Sequence, residues 1–240
     1  MRIFDPACFC RARLFRWDWL VFLVCVAIYL MFPNLDLWIT NYFFSTEERF
    51  LHQNLPGVQF SYQLFARVHF VFLIGLPIYW FVTRFFWPRY RHTSRYAAFL
   101  LVALVLGPGL VVNYALKEHW GRARPDAIVQ YGGNAQYTPP LQPTQQCDSN
   151  CSFVSGHASM GFFAISLAWV LRRRRWFWMG LTLGSLVGLG RMLQGGHFFG
   201  DVVFSFWAVY LSLCLTASWF KIDPRQSDSP VAVPLAKEFS

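Results

Sequence analysis

YAAFLLVALVLGPGLVVNYAL, residues 96–116, runs without a single charged side chain, and KEHWGRARP, residues 117–125, follows it at once. As a helix at about 1.5 Å per residue, the first stretch is about 30 Å long, the thickness of a bilayer's hydrocarbon core. The second stretch places three cations, Lys117, Arg122 and Arg124, just beyond that core. An apolar span ending in a basic cluster sets the fold class as all-α and polytopic in a membrane, and it directs attention to one membrane face.

The rest of the chain agrees with that class. Apolar residues make up 55% of it and charged residues 14%, far from the roughly 25% charge of soluble domains. Five more apolar runs, at 17–32, 65–86, 158–171, 176–193 and 198–220, give six expected transmembrane helices in one integral-membrane domain covering 1–240. The net charge of +9 raises the question of nucleic acid, and its distribution answers it. Arg2, Arg11, Arg13 and Arg16 precede the first run, Arg84, Arg89, Arg91 and Arg95 follow the second, Arg172 to Arg175 divide the fourth from the fifth, and Lys221, Arg225 and Lys237 end the chain. All fall on one side. The positive-inside rule makes that side cytoplasmic, with both termini in the cytosol, and the expected partners are a membrane and its lipids, not nucleic acid. The basic start before the first apolar run resembles a signal peptide, but no small-x-small cleavage site follows, so the first helix is expected to be retained. Residues from about 222 to 240 read as a flexible cytoplasmic tail.

Cys147 and Cys151 share the longest outer loop, where an oxidising compartment favours a disulfide; metal binding is the lesser reading, because no further Cys or His ligands cluster beside them.

Apart from the cytoplasmic set, the ionisable residues gather. Lys117 and Arg124 leave the third helix outward, Ser155-Gly156-His157 opens the fourth, Arg191 closes the fifth, and His197 and Asp201 open the sixth, four residues apart on one helical face. Each has an ordinary reading alone: an interfacial anchor for Lys117 or Arg191, a helix N-cap for Ser155, a structural histidine, a carboxylate paired with a nearby cation. Together they suit a tetrahedral oxyanion. Lys117, Arg124 and Arg191 neutralise phosphate oxygens, and the N–H groups around Ser155 and Gly156 add donors. His197, with its tautomer fixed by Asp201, suits a nucleophile, and His157 suits the acid that protonates the leaving oxygen and later activates water. No carboxylate cluster calls for a metal or other cofactor. A transporter would place polar groups at mid-membrane with internal symmetry, whereas the helix centres here, such as 100–106 and 202–215, are almost wholly apolar.

Lys117-x6-Arg124-Pro125, Ser155-Gly156-His157 and Arg191-x5-His197-x3-Asp201 resemble the three signature motifs of the type 2 phosphatidic acid phosphatase superfamily. The resemblance spans residues 117–201 and implies metal-independent hydrolysis of a lipid phosphomonoester at the periplasmic face, through a phosphohistidine on His197 with His157 as acid. Val154 stands where that family usually has Pro, and Gly190 where it usually has Ser; neither change removes a catalytic group. Tyr131-Gly132-Gly133, Tyr137-Thr138-Pro139-Pro140 and the segment Cys147 to Val154 look like the subgroup that contains lipid A phosphatases, especially those acting at the 4′ position. Undecaprenyl pyrophosphate, phosphatidylglycerophosphate and the lipid A 1-phosphate remain alternative substrates, and transfer to an acceptor other than water an alternative outcome. The oligomeric state is open.

Overall fold

A computed structural model describes residues 17–46, 49–50 and 53–222. The N-terminal arginines, Cys8 and Cys10, and the tail beyond residue 222 with Arg225 and Lys237, lie outside the described residues.

The first helix, α1 (Trp17–Met31), ends before Pro33, and the chain turns by 86° into α2 (Leu35–Thr40) and a short helical turn at Asn41–Phe43. Pro33 has no N–H with which to continue the ladder. A small hairpin of β1 (Phe44–Ser45) and β2 (Arg49–Phe50) leads to α3 (Pro56–Phe85). That helix begins nine residues before the apolar run at 65–86 because Pro56 supplies a favourable first turn. Its extra two turns carry Tyr62 and Gln63, polar enough to read as loop. None of the apolar stretch of α3 is buried, and Phe70, Val71, Ile74 and Ile78 point outward as a lipid-facing surface would.

The decisive run forms one rod, Pro88–His119, made of a short turn, α4 (Ser94–Leu104), a π-helical stretch at Val105–Leu116 and α5 (Lys117–His119). Pro108 inside the π-helical stretch lacks a donor, and the side chain of Asn113 donates to its carbonyl at 2.7 Å. The fourth apolar segment is α6 (Gly156–Phe163), a tight turn, and α7 (Leu167–Val170); then come α8 (Arg174–Leu193) and α9 (Phe199–Trp219). α9 is the central helix, burying Trp207, Tyr210, Leu213 and Cys214 among the other helices. α6 lies almost backbone to backbone on α8: a Cβ on Gly161 would sit 2.7 Å from the Cα of Gly184. Small residues permit such contact where hydrophobicity alone gives membrane helices little reason to associate.

All six expected apolar segments are helical. Three, Pro56–Phe85, Pro88–His119 and Phe199–Trp219, are long and apolar enough to cross a membrane, or four if α1 and the bent segment after it form one span. Gly156–Val170, as a helix of about 22 Å, falls short of a bilayer, and α8 has the length but begins with Arg174 and Arg175. The molecule is thus mostly helical with three or four span-capable helices, a coarser statement than six spans.

Candidate active site

The end of the π-helical rod, the start of α6, the end of α8 and the start of α9 meet at one end of the bundle, and the long loop from Trp120 to Ser155 covers it. Trp120 donates its indole N–H to the Pro140 carbonyl at 2.8 Å, and Tyr137 reaches the Pro33 carbonyl at 2.7 Å. The sulfurs of Cys147 and Cys151 are joined in that loop, with Cα atoms 5.7 Å apart.

Beneath the loop lies a fully buried ion cluster. The Arg122 guanidinium donates to Asp201 at 2.6 Å, to Asp36 at 2.8 Å and, through Nε, to the Thr138 carbonyl at 2.8 Å, while the Phe198 ring covers it at 4.2 Å. Asp36 also accepts the Gly200 N–H at 2.7 Å, so one carboxylate ties α2 to the first turn of α9. Asp201 accepts the Ser152 hydroxyl at 2.5 Å and the Phe198 N–H at 2.8 Å. From spacing alone, Asp201 is expected to set the tautomer of His197. The geometry differs. His197 Nδ1 is 3.6 Å from Asp201, within ion-pair range but beyond a hydrogen bond, and it lies 2.8 Å from the Ser152 carbonyl. A carbonyl only accepts, so Nδ1 carries the proton and Nε2 keeps its lone pair. Burial pushes this imidazole down to about 3, and it is neutral at ordinary pH.

A second group of polar side chains sits on the open side of that cluster. Lys117 and Arg191 are nearly buried, and with Arg124 they place three positive charges around His157. Among the described residues, none of these three cations has a carboxylate within salt-bridge distance. His157 Nε2, His197 Nε2 and Arg191 Nε are buried without a hydrogen-bond partner. Unpaired buried nitrogens are costly in a finished interior, and here they occur among three cations. The arrangement offers what a phosphate needs: positive charge, donors, and one imidazole nitrogen with a free lone pair.

Two glycines make this possible. A Cβ on Gly156 would meet Asn113 Oδ1 at 2.7 Å and lie 3.6 Å from the Lys117 ammonium, so Gly156 lets the rod close against the start of α6. A Cβ on Gly196 would stand 2.2 Å from an Arg191 Nη. Ser155 is buried, and its hydroxyl caps α6 by accepting the Ala158 N–H at 3.4 Å, the ordinary role of such a serine. Arg124 is half committed, because Nε and Nη2 both donate to the Asn150 carbonyl, at 3.2 and 2.8 Å.

An apolar cleft of about 420 Å³ opens from Lys117, Gly156 and His157 along α3 and the π-helical stretch, lined by Phe65, Leu73, Leu104, Val105 and Pro108. Polar chemistry at one end and a greasy trough behind it fit a molecule with a phosphate head and hydrocarbon body.

Sequence reasoning missed Asp36, Ser152, Asn113 and Tyr62. Asp36 carries a readable signal, a lone carboxylate between Leu35 and Leu37 that needs a cation once buried. The other three contribute a carbonyl beside His197, an amide bonded to the Pro108 carbonyl and a ring stacked on the His157 imidazole, which no spacing announces.

Residues 96–225 match the PAP2 superfamily. The chain is 39% identical over 189 residues, 77% of its own length and 85% of the relative's, to a protein of Francisella tularensis subsp. novicida (strain U112) named lipid A 4'-phosphatase. It is also 27% identical over 209 residues, 78% of this chain and 86% of the relative, to a lipid A 4'-phosphatase of Rhizobium leguminosarum. A third protein of that name, from Rhizobium etli, is 38% identical over 105 residues, 42% of this chain and 41% of its own. No solved structure matches the chain.

Proposed function

The chain belongs to the PAP2 superfamily, and from that premise we propose that it is a membrane lipid phosphatase that removes the 4′-phosphate of lipid A through a phosphohistidine on His197. The observation that carries the chemistry is the pair of bonds made and not made by His197: Nδ1–H is donated to the Ser152 carbonyl, and Nε2 is buried, neutral and without a partner. The substrate follows from the two relatives that share most of their length with this chain, and the apolar cleft beside Lys117 and His157 fits its lipid body.

In the first half-reaction, the Nε2 lone pair attacks phosphorus in line with the bond to the sugar oxygen. Lys117, Arg124 and Arg191 take up the charge spread over the equatorial oxygens, and the first N–H groups of α6 add donors. As the phosphorus–oxygen bond breaks, His157 gives its proton to the departing alkoxide. Asp201, at 3.6 Å, stabilises the positive charge that attack creates on the His197 ring. In the second half-reaction, neutral His157 takes a proton from water, the hydroxide attacks phosphorus, and phosphate leaves while His197 regains its free lone pair. Ser155 serves the site by capping α6.

The same reading sets the site at the periplasmic face of a bacterial inner membrane, with six helical segments and cytosolic termini. The four arginines at 172–175 and the group at 84–95 lie at the opposite end of their helices from His157 and His197, as the positive-inside rule requires.

Rapid mixing followed by an alkaline quench, which preserves the acid-labile phosphorus–nitrogen bond, tests the mechanism. His197→Ala should abolish both turnover and the acid-labile phosphoenzyme. His157→Ala should slow turnover by about 10²–10⁴-fold with a lipid substrate, and by much less with p-nitrophenyl phosphate, whose leaving group needs no proton. Label on the His197→Ala protein would reject the assignment. Mass spectrometry of lipid A from cells with and without the protein tests the substrate: loss of the 4′-phosphate is expected, and loss of the 1-phosphate alone would overturn it. Phosphate release should persist in excess EDTA.

A further inference from the structure

His157 presents a problem of orientation. Its Nε2 is buried with no hydrogen-bond partner, and so is Nε of Arg191, the cation beside it. No hydrogen bond at Nε2 fixes the imidazole plane, and Arg191 is held by a single side-chain bond, Nη1 to Gln194 Oε1, about which it can still rotate, yet a proton donor and a phosphate clamp must be aimed before substrate arrives. What both groups touch is an aromatic ring on another helix. Tyr62, in the first turns of α3, stacks on the His157 imidazole with centroids 4.7 Å apart and planes 18° from parallel. The Arg191 guanidinium carbon lies 4.7 Å from the centroid of the same ring.

We propose that Tyr62 is a positioning residue for the phosphatase reaction: its ring is the plate against which the imidazole of His157 and the guanidinium of Arg191 are aligned. The proposal rests on the reading of His157 as general acid. A phenol ring suits the task in two ways. Its flat face restricts rotation of a stacked imidazole, as an aliphatic side chain of equal volume does not. Its negative π-face also favours the imidazolium form that must exist just before proton donation, in a pocket already crowded with Lys117, Arg124 and Arg191. Tyr62 is 39% exposed, so it contributes little to the core, and its value lies in what it touches. The contact also gives the turns of α3 before the apolar run a role: they bring an aromatic residue from the bundle's edge onto two groups presented by α6 and α8.

The test compares three substitutions in the purified full-length protein. Tyr62→Phe keeps the ring and should retain turnover within about twofold of wild type. Tyr62→Leu keeps an apolar side chain without the π-face and should lose about tenfold in kcat on a lipid substrate, with an unchanged melting temperature. In a His157→Ala background the same Tyr62→Leu change should cost no more than about threefold, because only the Arg191 contact is left to lose. Wild-type kcat in Tyr62→Leu overturns the proposal while leaving His157 as the acid. Equal losses in Tyr62→Phe and Tyr62→Leu also overturn it, since the hydroxyl and not the ring would then be acting. Equal costs of Tyr62→Leu with and without His157 would show that Tyr62 does not work through the imidazole. Failure of the underlying reading looks different: His157→Ala would itself be fully active.

Discussion

Two arginines within the same site live by opposite rules. Arg122 is sealed off, and its guanidinium meets two carboxylates, a carbonyl and a ring face. Arg191, beside His157, meets Gln194, the Tyr62 ring and, among the described residues, no carboxylate, and its Nε has no hydrogen-bond partner. A buried charge is tolerable when fully paired and expensive when not. The contrast therefore separates framework from binding surface without appeal to any motif. Where every charge is answered, the protein is holding itself together; where cations remain unanswered beside orphaned imidazole nitrogens, it is arranged for something that arrives.

The largest effect should come from breaking this contrast at its paired end. Arg122→Ala leaves Asp36 and Asp201 buried and facing each other, a loss of about 3–5 kcal/mol, and the variant should be recovered poorly or melt far below wild type in detergent. Arg191→Ala should do the reverse. It should change stability by less than about 1 kcal/mol and reduce turnover by about 10²-fold. A stable Arg122→Ala protein together with an unstable Arg191→Ala protein would invert the division between framework and site.

The two carboxylates refine it. Asp36→Asn and Asp201→Asn should each weaken the fold by about 2–3 kcal/mol, the scale of one charge-assisted hydrogen bond. Only Asp201 also stands near His197. Its Asn variant should lose about 10²-fold in turnover per folded molecule, whereas Asp36→Asn should leave that quantity roughly unchanged. Matching activity losses in the two variants would mean that Asp201 acts through Arg122 alone.

Gly196→Ala probes the unpaired side more gently. The new methyl would collide with the guanidinium, displacing Arg191 without deleting it, and turnover should fall by about tenfold with stability nearly unchanged. Tyr62 apart, this is the substitution most directly aimed at the position of a phosphate ligand.

How much of this the sequence discloses depends on the kind of force involved. The apolar runs show all six helices, because hydrocarbon demands continuous stretches of it; their count as spans is less legible, since length, a bend at Pro33 and the arginines of α8 decide it. Lys117, Arg191, His157 and His197 are readable because charges next to a bilayer are rare. The Ser152 carbonyl under His197 is invisible in sequence, as any residue carries one. Asp201 shows the limit of spacing arguments: an i, i+4 offset from His197 puts the two side by side but says nothing of Arg122, which holds Oδ1, or of the Ser152 hydroxyl and Phe198 N–H, which both bond Oδ2, the oxygen nearer the ring. Ser155 repeats the lesson, since the same hydroxyl that fits a phosphate also fits the N-cap it occupies.

The smallest effect is expected at the disulfide. The loop from Cys147 to Cys151 presents the Asn150 carbonyl to Arg124 and the Asn150 N–H to Glu118, the neighbour of Lys117. Closing so short a loop stabilises the fold by about 2 kcal/mol in the chain-entropy picture. Opening it does not free the segment, however, because the next residue is anchored on its own: the Ser152 N–H donates to the Arg122 carbonyl at 2.8 Å, and its hydroxyl to Asp201. The paired cluster thus holds one end of the loop, and Arg124 and Glu118 depend on the other. Replacing both cysteines with serine, or reducing them, should lower turnover by only about two- to fivefold, mostly through weaker binding of the phosphate, and should leave the His197 phosphoenzyme detectable. Steady-state kinetics on the double variant, alongside Arg124→Ala, would check this. A loss as deep as that of Arg191→Ala would mean that the loop, and not the buried ions beneath it, holds the His197 ring in place.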